Sequence, residues 1–134
     1  MTDTHVEATF EVTGWDESPF DDREALDEGG GPGRLTEAVV SRKYSGAIEG
    51  SSLTRWLMAY APDKTAAFTG IERISGSVCG RRGSVVLLHS GEFADGAATA
   101  TLRILSGTGE LKEVSGAGTF RADPAGAVTL DVDL

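Results

Sequence analysis

Residues 68–93 read FTGIERISGSVCGRRGSVVLLHSGEF, two runs of alternating side chains joined by a Gly-rich, doubly basic turn. Alternation with period two sends successive side chains to opposite faces of an extended chain, so this stretch is read as a β-hairpin. Phe68, Gly70, Glu72 and Ile74 share one face of the first run, and Val85, Leu87, His89 and Phe93 share one face of the second. A turn at Gly80–Gly83 brings Glu72 and His89 to comparable distances from the tip, as cross-strand or diagonal neighbours. The remaining chain reads as further strands that close a sheet around this hairpin.

From His5 to Trp15, Val6, Ala8, Phe10 and Val12 alternate with Glu7, Thr9, Glu11 and Thr13, a half-buried strand. Trp15 falls on the polar face by parity, so a bulge or a strand end at Gly14 has to redirect it. From Leu35 to Ser45, Ala38, Val40, Arg42 and Tyr44 alternate with Val39, Ser41, Lys43 and Ser45, and neither face is wholly apolar, so the inward face stays ambiguous. In Leu53–Tyr60 both faces are largely apolar, which fits a filled interior and an outside covered in part by another subunit. Strands are also expected over Ala66–Ser75, Ser84–Phe93, Gly96–Ile104, Gly118–Arg121 and Ala127–Leu134. Ser106–Gly116 is too polar for a strand core and is predicted to hold a short helical turn at Glu110–Val114. Asp16–Gly33, acidic and then Gly-rich, is expected to be irregular: either a mobile surface loop or a lid docked by Phe20 and Leu26. Ser-Gly recurs at 45, 75, 90, 106 and 115, near the ends of the alternating runs, and marks the corners of one meander. About eight closely spaced strands without a long helix predict an all-β, single-domain, eight-stranded antiparallel up-and-down barrel. A barrel of that size is filled by side chains or holds one small ligand in a central cavity.

A net charge of −9 argues against a nucleic-acid partner and an anionic membrane surface. The single cysteine, Cys79, makes no intramolecular disulfide, and a cytoplasmic protein is expected. No run resembles a signal peptide or approaches the ~18 apolar residues of a spanning helix. Two separated histidines and one cysteine give no zinc spacing, and no phosphate-binding Gly-rich loop or GxSxG elbow is present, so neither cofactor nor metal is expected. Asp21, Asp22, Asp27 and Glu28 do not match a calcium loop.

The residues that could carry chemistry are few. Glu72 beside His89 makes a usable acid–base pair, with burial expected to raise the carboxyl toward its working range; a structural hydrogen bond inside the barrel is the alternative. Glu49 is placed at a barrel mouth, as a base at the cavity entrance or as a solvated turn residue. Tyr44, Trp56, Met58 and Tyr60 suit a cavity lining, with Phe68 and Phe93 on the hairpin beside them and Trp15 closing one end. Cys79 lies beside Arg81 and Arg82 at a hairpin turn and reads as an inert turn residue or an activated thiol.

The segments ATFEVTGWDESPFDD, KYSGAIEGSS, WLMAYAPD, GIERISGSVCGRRGSVVLLHSGEF and VTLDVDL, in that order, resemble the bacterial domain of unknown function 3224 family, whose members are similar to the allene oxide cyclase barrel. The acidic residues 23–31 look like a local expansion of a loop that is short in relatives. The resemblance implies an eight-stranded antiparallel barrel with a central cavity, often self-associating. Barrels of that type include cyclases and isomerases of reactive, largely apolar intermediates, although no short cyclase motif matches here. The expected function is therefore to bind a small apolar or aromatic molecule. A cofactor-free cyclase or isomerase using Glu72, His89 or Glu49 is the first alternative, and a structural homo-oligomer the second.

Overall fold

In a computed structural model, which describes residues 3–19, 34–123 and 125–134, the alternation resolves into eight strands. They are β1 (Asp3–Pro19), β2 (Leu35–Gly46), β3 (Ile48–Tyr60), β4 (Ala66–Val78), β5 (Arg81–Ala94), β6 (Ala97–Gly109), β7 (Ser115–Ala122) and β8 (Gly126–Asp133). Each pairs antiparallel with the next, and β8 returns to pair with β1, closing a barrel. Closure leaves no unpaired sheet edge. No helix long and apolar enough to cross a membrane occurs among the described residues.

The ambiguous second strand turns its Thr36, Ala38, Val40, Arg42 and Tyr44 face inward. Val39, Ser41 and Lys43 take the outer side, so an arginine lies in the interior. The strands are longer than the sequence pattern marks. β1 continues through Asp16–Pro19, which the sequence reading assigned to the irregular segment, because these residues pair with Thr36–Val39 of β2. The lid expected over the rest of that segment, with Phe20 and Leu26, lies outside the described residues.

Trp15 is redirected by a bulge rather than a strand end. Val12 pairs with Arg42 and Gly14 with Ser41, leaving Thr13 extra, so Trp15 comes opposite Val40 on the inward face. A second bulge sets Val86 against Ser106 and Leu87 against Ile104, which turns Leu105 outward.

The hairpin tip differs from the expected Gly80–Gly83. Cys79 and Gly80 form a two-residue turn with φ of 51° and 80°, and Val78 pairs directly with Arg81. Positive φ at both positions is the primed turn whose twist matches the flanking strands, and it gives Gly80 a direct conformational role. In the resulting register Gly70 faces His89 and Glu72 faces Leu87, so Glu72 and His89 are diagonal neighbours.

At Glu110–Val114 the chain makes tight turns but no helix. Leu111 N–H bonds to Thr108 O, Lys112 N–H to Gly109 O and Val114 N–H to Leu111 O, overlapping four-residue turns that do not extend into a helix. Their effect is to turn Leu111 and Val114 inward, where Leu111 is 1% exposed and both belong to the hydrophobic core. Replacing Leu111 by Ala is expected to cost about 2–5 kcal/mol, the range for emptying a core leucine site. Leu105→Ala, on the half-exposed bulge, should stay within about 0.5 kcal/mol of the parent. Urea denaturation midpoints compare the two; equal losses would mean that the turn does not seat Leu111 in the core.

Candidate ligand-binding site

Glu72 projects from the centre of β4 into the barrel and is fully buried. A carboxylate in that position must be solvated by the protein. His89 Nε2 lies 2.8 Å from Oε1. The Tyr44 hydroxyl donates to Oε2 at 2.6 Å, and Arg42 Nη1 stands 3.8 Å from the same oxygen. Burial alone pushes the Glu72 carboxyl up. The His89 hydrogen bond and the Arg42 charge outweigh it and hold the group below the ordinary glutamate range. The expectation that burial raises Glu72 is therefore corrected: the partners needed to bury the charge overcompensate for the burial. Burial and the Glu72 charge push the Tyr44 phenol up, so its proton stays available for donation.

The Trp56 indole N–H donates to His89 Nδ1 at 3.1 Å. Nδ1 is thus an acceptor, and the imidazole carries its proton on Nε2, aimed at Glu72. Gly70 makes this chain of bonds possible. It pairs with Trp56 on one side and with His89 on the other, and a Cβ there would sit 2.8 Å from the Trp56 ring and overlap the Arg55 backbone. Without a side chain at Gly70, the indole reaches across β4 to the imidazole on β5. The same device recurs at Gly126, where a Cβ would strike the Phe10 ring at 2.4 Å.

Arg42, 2% exposed, is held between aromatic faces. Its guanidinium carbon lies 4.2 Å from the Phe10 ring centroid, 4.7 Å from Phe120 and 5.0 Å from Trp56. Desolvated cation–π contacts of this kind are worth ~2 kcal/mol. Nη1 also donates to the Tyr44 hydroxyl at 3.4 Å.

Beside this polar floor lies a cavity of about 230 Å³ that opens at one end of the barrel. Trp15, Trp56, Met58, Phe68 and Phe93, five of the seven residues expected to line it, do so. Tyr44 belongs instead to the floor. Tyr60 stands at the rim, where its hydroxyl donates to Glu17 Oε2 at 2.6 Å. Glu17 also accepts from Thr36 at 2.5 Å and from the Trp15 indole at 3.1 Å. Partial burial pushes the Glu17 carboxyl up, but these three donors and nearby Arg34 bring it below its ordinary value. Partial burial and the bond to Glu17 push Tyr60 up to about 12. Phe10, Val12, Arg42 and Phe120 complete the wall together with Ala98 and Ala122. Sequence reasoning missed these; the available signal was their position on inward-facing alternating runs.

Glu72 and His89 are brought together, but neither lines the cavity. Glu49 is not brought to them: it is exposed on the outward side of β3, opposite Ser77. Cys79 is exposed at the hairpin tip, and His5 is a surface residue between Asp131 and Glu7, at 2.9 Å from each. Among the described residues no group of three or more His, Cys, Asp or Glu is placed to hold a metal.

Residues 6–134 match a family described as a protein of unknown function, DUF3224. A crystal structure of a protein of unknown function from that family, from Shewanella oneidensis MR-1, superposes with a TM-score of 0.76 and 26% identity, covering 99% of this chain and 98% of the other. No curated protein matches the chain.

Because Glu72 is held below its unfolded value, the unfolded chain takes up this proton first as the pH falls. The resulting stabilisation is present above about pH 4.3 and is lost as the pH drops through the lower folded value. Glu72→Gln should cost about 3–5 kcal/mol at pH 7, the loss expected on removing one member of a buried pair, and the gap to the parent should narrow at pH 3. Urea titrations at both pH values measure it; an unchanged gap would mean that Glu72 is not buried as a carboxylate.

Proposed function

The chain belongs to the DUF3224 family of proteins of unknown function, and from that premise we propose that it binds one small, largely apolar aromatic molecule at the open end of its barrel. The observation that carries this reading is the cavity itself, about 230 Å³ between aromatic faces. Trp15 and Phe93 stand half exposed at its rim. Half-exposed aromatics around a concave apolar space favour burial of a matching molecule at ~25 cal/mol for each Å² removed from water. The volume suits a bicyclic ring system better than a long chain.

Glu72 and His89 support this function from below. Both Glu72 oxygens are already engaged, and His89 Nδ1 is engaged by the wall residue Trp56, so the pair fits a positioning role better than proton transfer to a bound molecule. A cyclase or isomerase reading would have to draw on Arg42, the charged residue that does line the cavity.

Titration with bicyclic aromatic compounds should give saturable changes in Trp15 and Trp56 fluorescence. Ala98→Phe, which fills the cavity from β6, should abolish them while leaving the circular dichroism spectrum of the barrel intact. A broad panel without any saturable response would sink the proposal.

A second reading has its own observation. On the outer wall Leu53, Leu57 and Ile71 are about half exposed, at 50%, 50% and 48%. A second copy of this chain is the occupant we propose for that surface, in keeping with its two-sided apolar third strand. Sedimentation of the parent should then show a dimer that Leu57→Glu converts to monomer; a parent that is monomeric at all concentrations removes this reading.

A further inference from the structure

Three buried polar atoms inside the barrel have no hydrogen-bond partner among the described residues: Arg42 Nε, Ser52 Oγ and Thr54 Oγ1. They belong to one part of the sheet. Arg42 on β2 pairs directly with Ser52 on β3. Ser52 and Thr54 are two residues apart on that strand and both face inward, and Thr54 pairs with Glu72 on β4. Inward side chains of directly paired residues stand about 5 Å apart at Cβ, so the three atoms border one region beside the Glu72 carboxylate. Burial raises that carboxyl; His89, Arg42 and Ser52 lower it, and the Ser52 hydroxyl acts from nearby without completing a hydrogen bond. A buried polar atom without a partner is costly, and native proteins rarely leave one. The cost is greater beside an ion pair, whose attraction repays its desolvation only when the remaining donors and acceptors are met.

The surroundings fix what can meet these atoms. Neither Ser52 nor Thr54 lines the ligand cavity, and all three atoms are buried, so the occupant is enclosed rather than reached from the open end. The region is electrically balanced. Arg42 is offset by the Glu72 carboxylate at 3.8 Å, and His89, accepting from Trp56 and donating to Glu72, is neutral. A cation would stand against the Arg42 guanidinium, and an anion against the Glu72 carboxylate. The Nε–H only donates, whereas the two hydroxyls donate or accept, so the occupant has to be an acceptor and is free to donate as well. A small neutral molecule that does both is water, and a polar enclosure offering about two to four partners is where interior waters are held.

We infer that Arg42 Nε–H, Ser52 Oγ and Thr54 Oγ1 form a binding site for one ordered internal water, which accepts from Arg42 and joins β2 to β3 beneath the ligand cavity. The water completes the solvation of a guanidinium whose Nη1 is taken by Tyr44 and Glu72. It also gives a role to two hydroxyls on the inward face of β3, between Ile48 and Trp56, where core packing alone would favour apolar side chains.

The test is made on the isotopically labelled full chain. Nuclear Overhauser transfer from water should reach the Arg42 δ-methylene and Thr54 methyl protons, which are carbon-bound and do not exchange with solvent, with the sign of a water that tumbles with the protein. Thr54→Val keeps the shape and removes one anchor. The transfer to Arg42 should weaken, and the unfolding equilibrium constant in urea should rise about fivefold, the net worth of one hydrogen bond. Ser52→Ala should act in the same direction, and the double variant should lose less than the two losses added, because both act through one molecule. Absence of transfer to either group in the parent overturns the inference. A Thr54→Val chain as stable as the parent, or more so, overturns it as well, since removing an unpartnered buried hydroxyl costs nothing. Additive losses overturn it by assigning the hydroxyls separate partners. Should Thr54→Val fail to fold, the transfer in the parent and its weakening in Ser52→Ala decide.

Discussion

A carboxylate charge buried inside the barrel is the constraint from which the interior follows. Glu72 needs donors on both oxygens, and in a closed sheet they must come from strands that surround it. His89 supplies one from β5 and needs an acceptor-free Nε2, which the Trp56 indole secures by donating to Nδ1. That bond fixes the orientation of one of the two tryptophans in the cavity wall. Tyr44 supplies the other donor from β2 and has Arg42 as its neighbour two residues away. Arg42 in turn fixes the rings of Phe10 and Phe120. The aromatic enclosure is thus arranged by the polar layer beneath it, and the absence of a side chain at Gly70 is what lets the two meet.

The rim repeats the arrangement in weaker form. Glu17 gathers Thr36, Tyr60 and the Trp15 indole, joining β1, β2 and β3 at the open end. Being partly exposed, that carboxylate is screened by water, and its bonds set side-chain direction more than they add stability. One carboxylate organises the floor and another the entrance. Each does so by presenting an acceptor to an indole or a phenol that would otherwise be free to turn.

Much of the architecture was legible because alternation is a local property. The inward set on β4 and β5 follows from parity, the closed antiparallel order from about eight closely spaced strands without a long helix, and the meeting of Glu72 with His89 from their comparable distances to the hairpin tip. Three things were hidden for physical reasons. Parity on β2 offered Ala38, Val40, Arg42 and Tyr44 against Val39, Ser41, Lys43 and Ser45. Nothing local says that an arginine will be buried until three rings from β1, β3 and β7 are known to surround it. The segment 106–116 is polar by composition, yet a succession of tight turns aims its two apolar residues into the core. The direction of the Glu72 shift depends on partners from β2 and β5, and burial considered alone gives the opposite sign. In each case the missing information is cross-strand register, which is set by turns and bulges rather than by the strand's own pattern.

The bulge at Thr13 has a consequence for how such a chain tolerates change. Before it, β1 faces inward with Val6, Ala8 and Phe10; after it, with Trp15 and Glu17. The extra residue lets one continuous strand serve two frames, a core frame and an entrance frame, that are out of step by one position. Loss of the Thr13 codon would remove the bulge and leave Gly14 opposite Ser41 and Trp15 opposite Val40, so Trp15 and Glu17 would still face inward. The bulge is therefore a place where the gene can shorten by one codon without turning the entrance residues outward, whereas a codon lost further along the paired strand shifts every residue beyond it by one face. Within the lineage, variation in the length of this strand should therefore gather at the bulge, while the paired residues on either side vary by replacement.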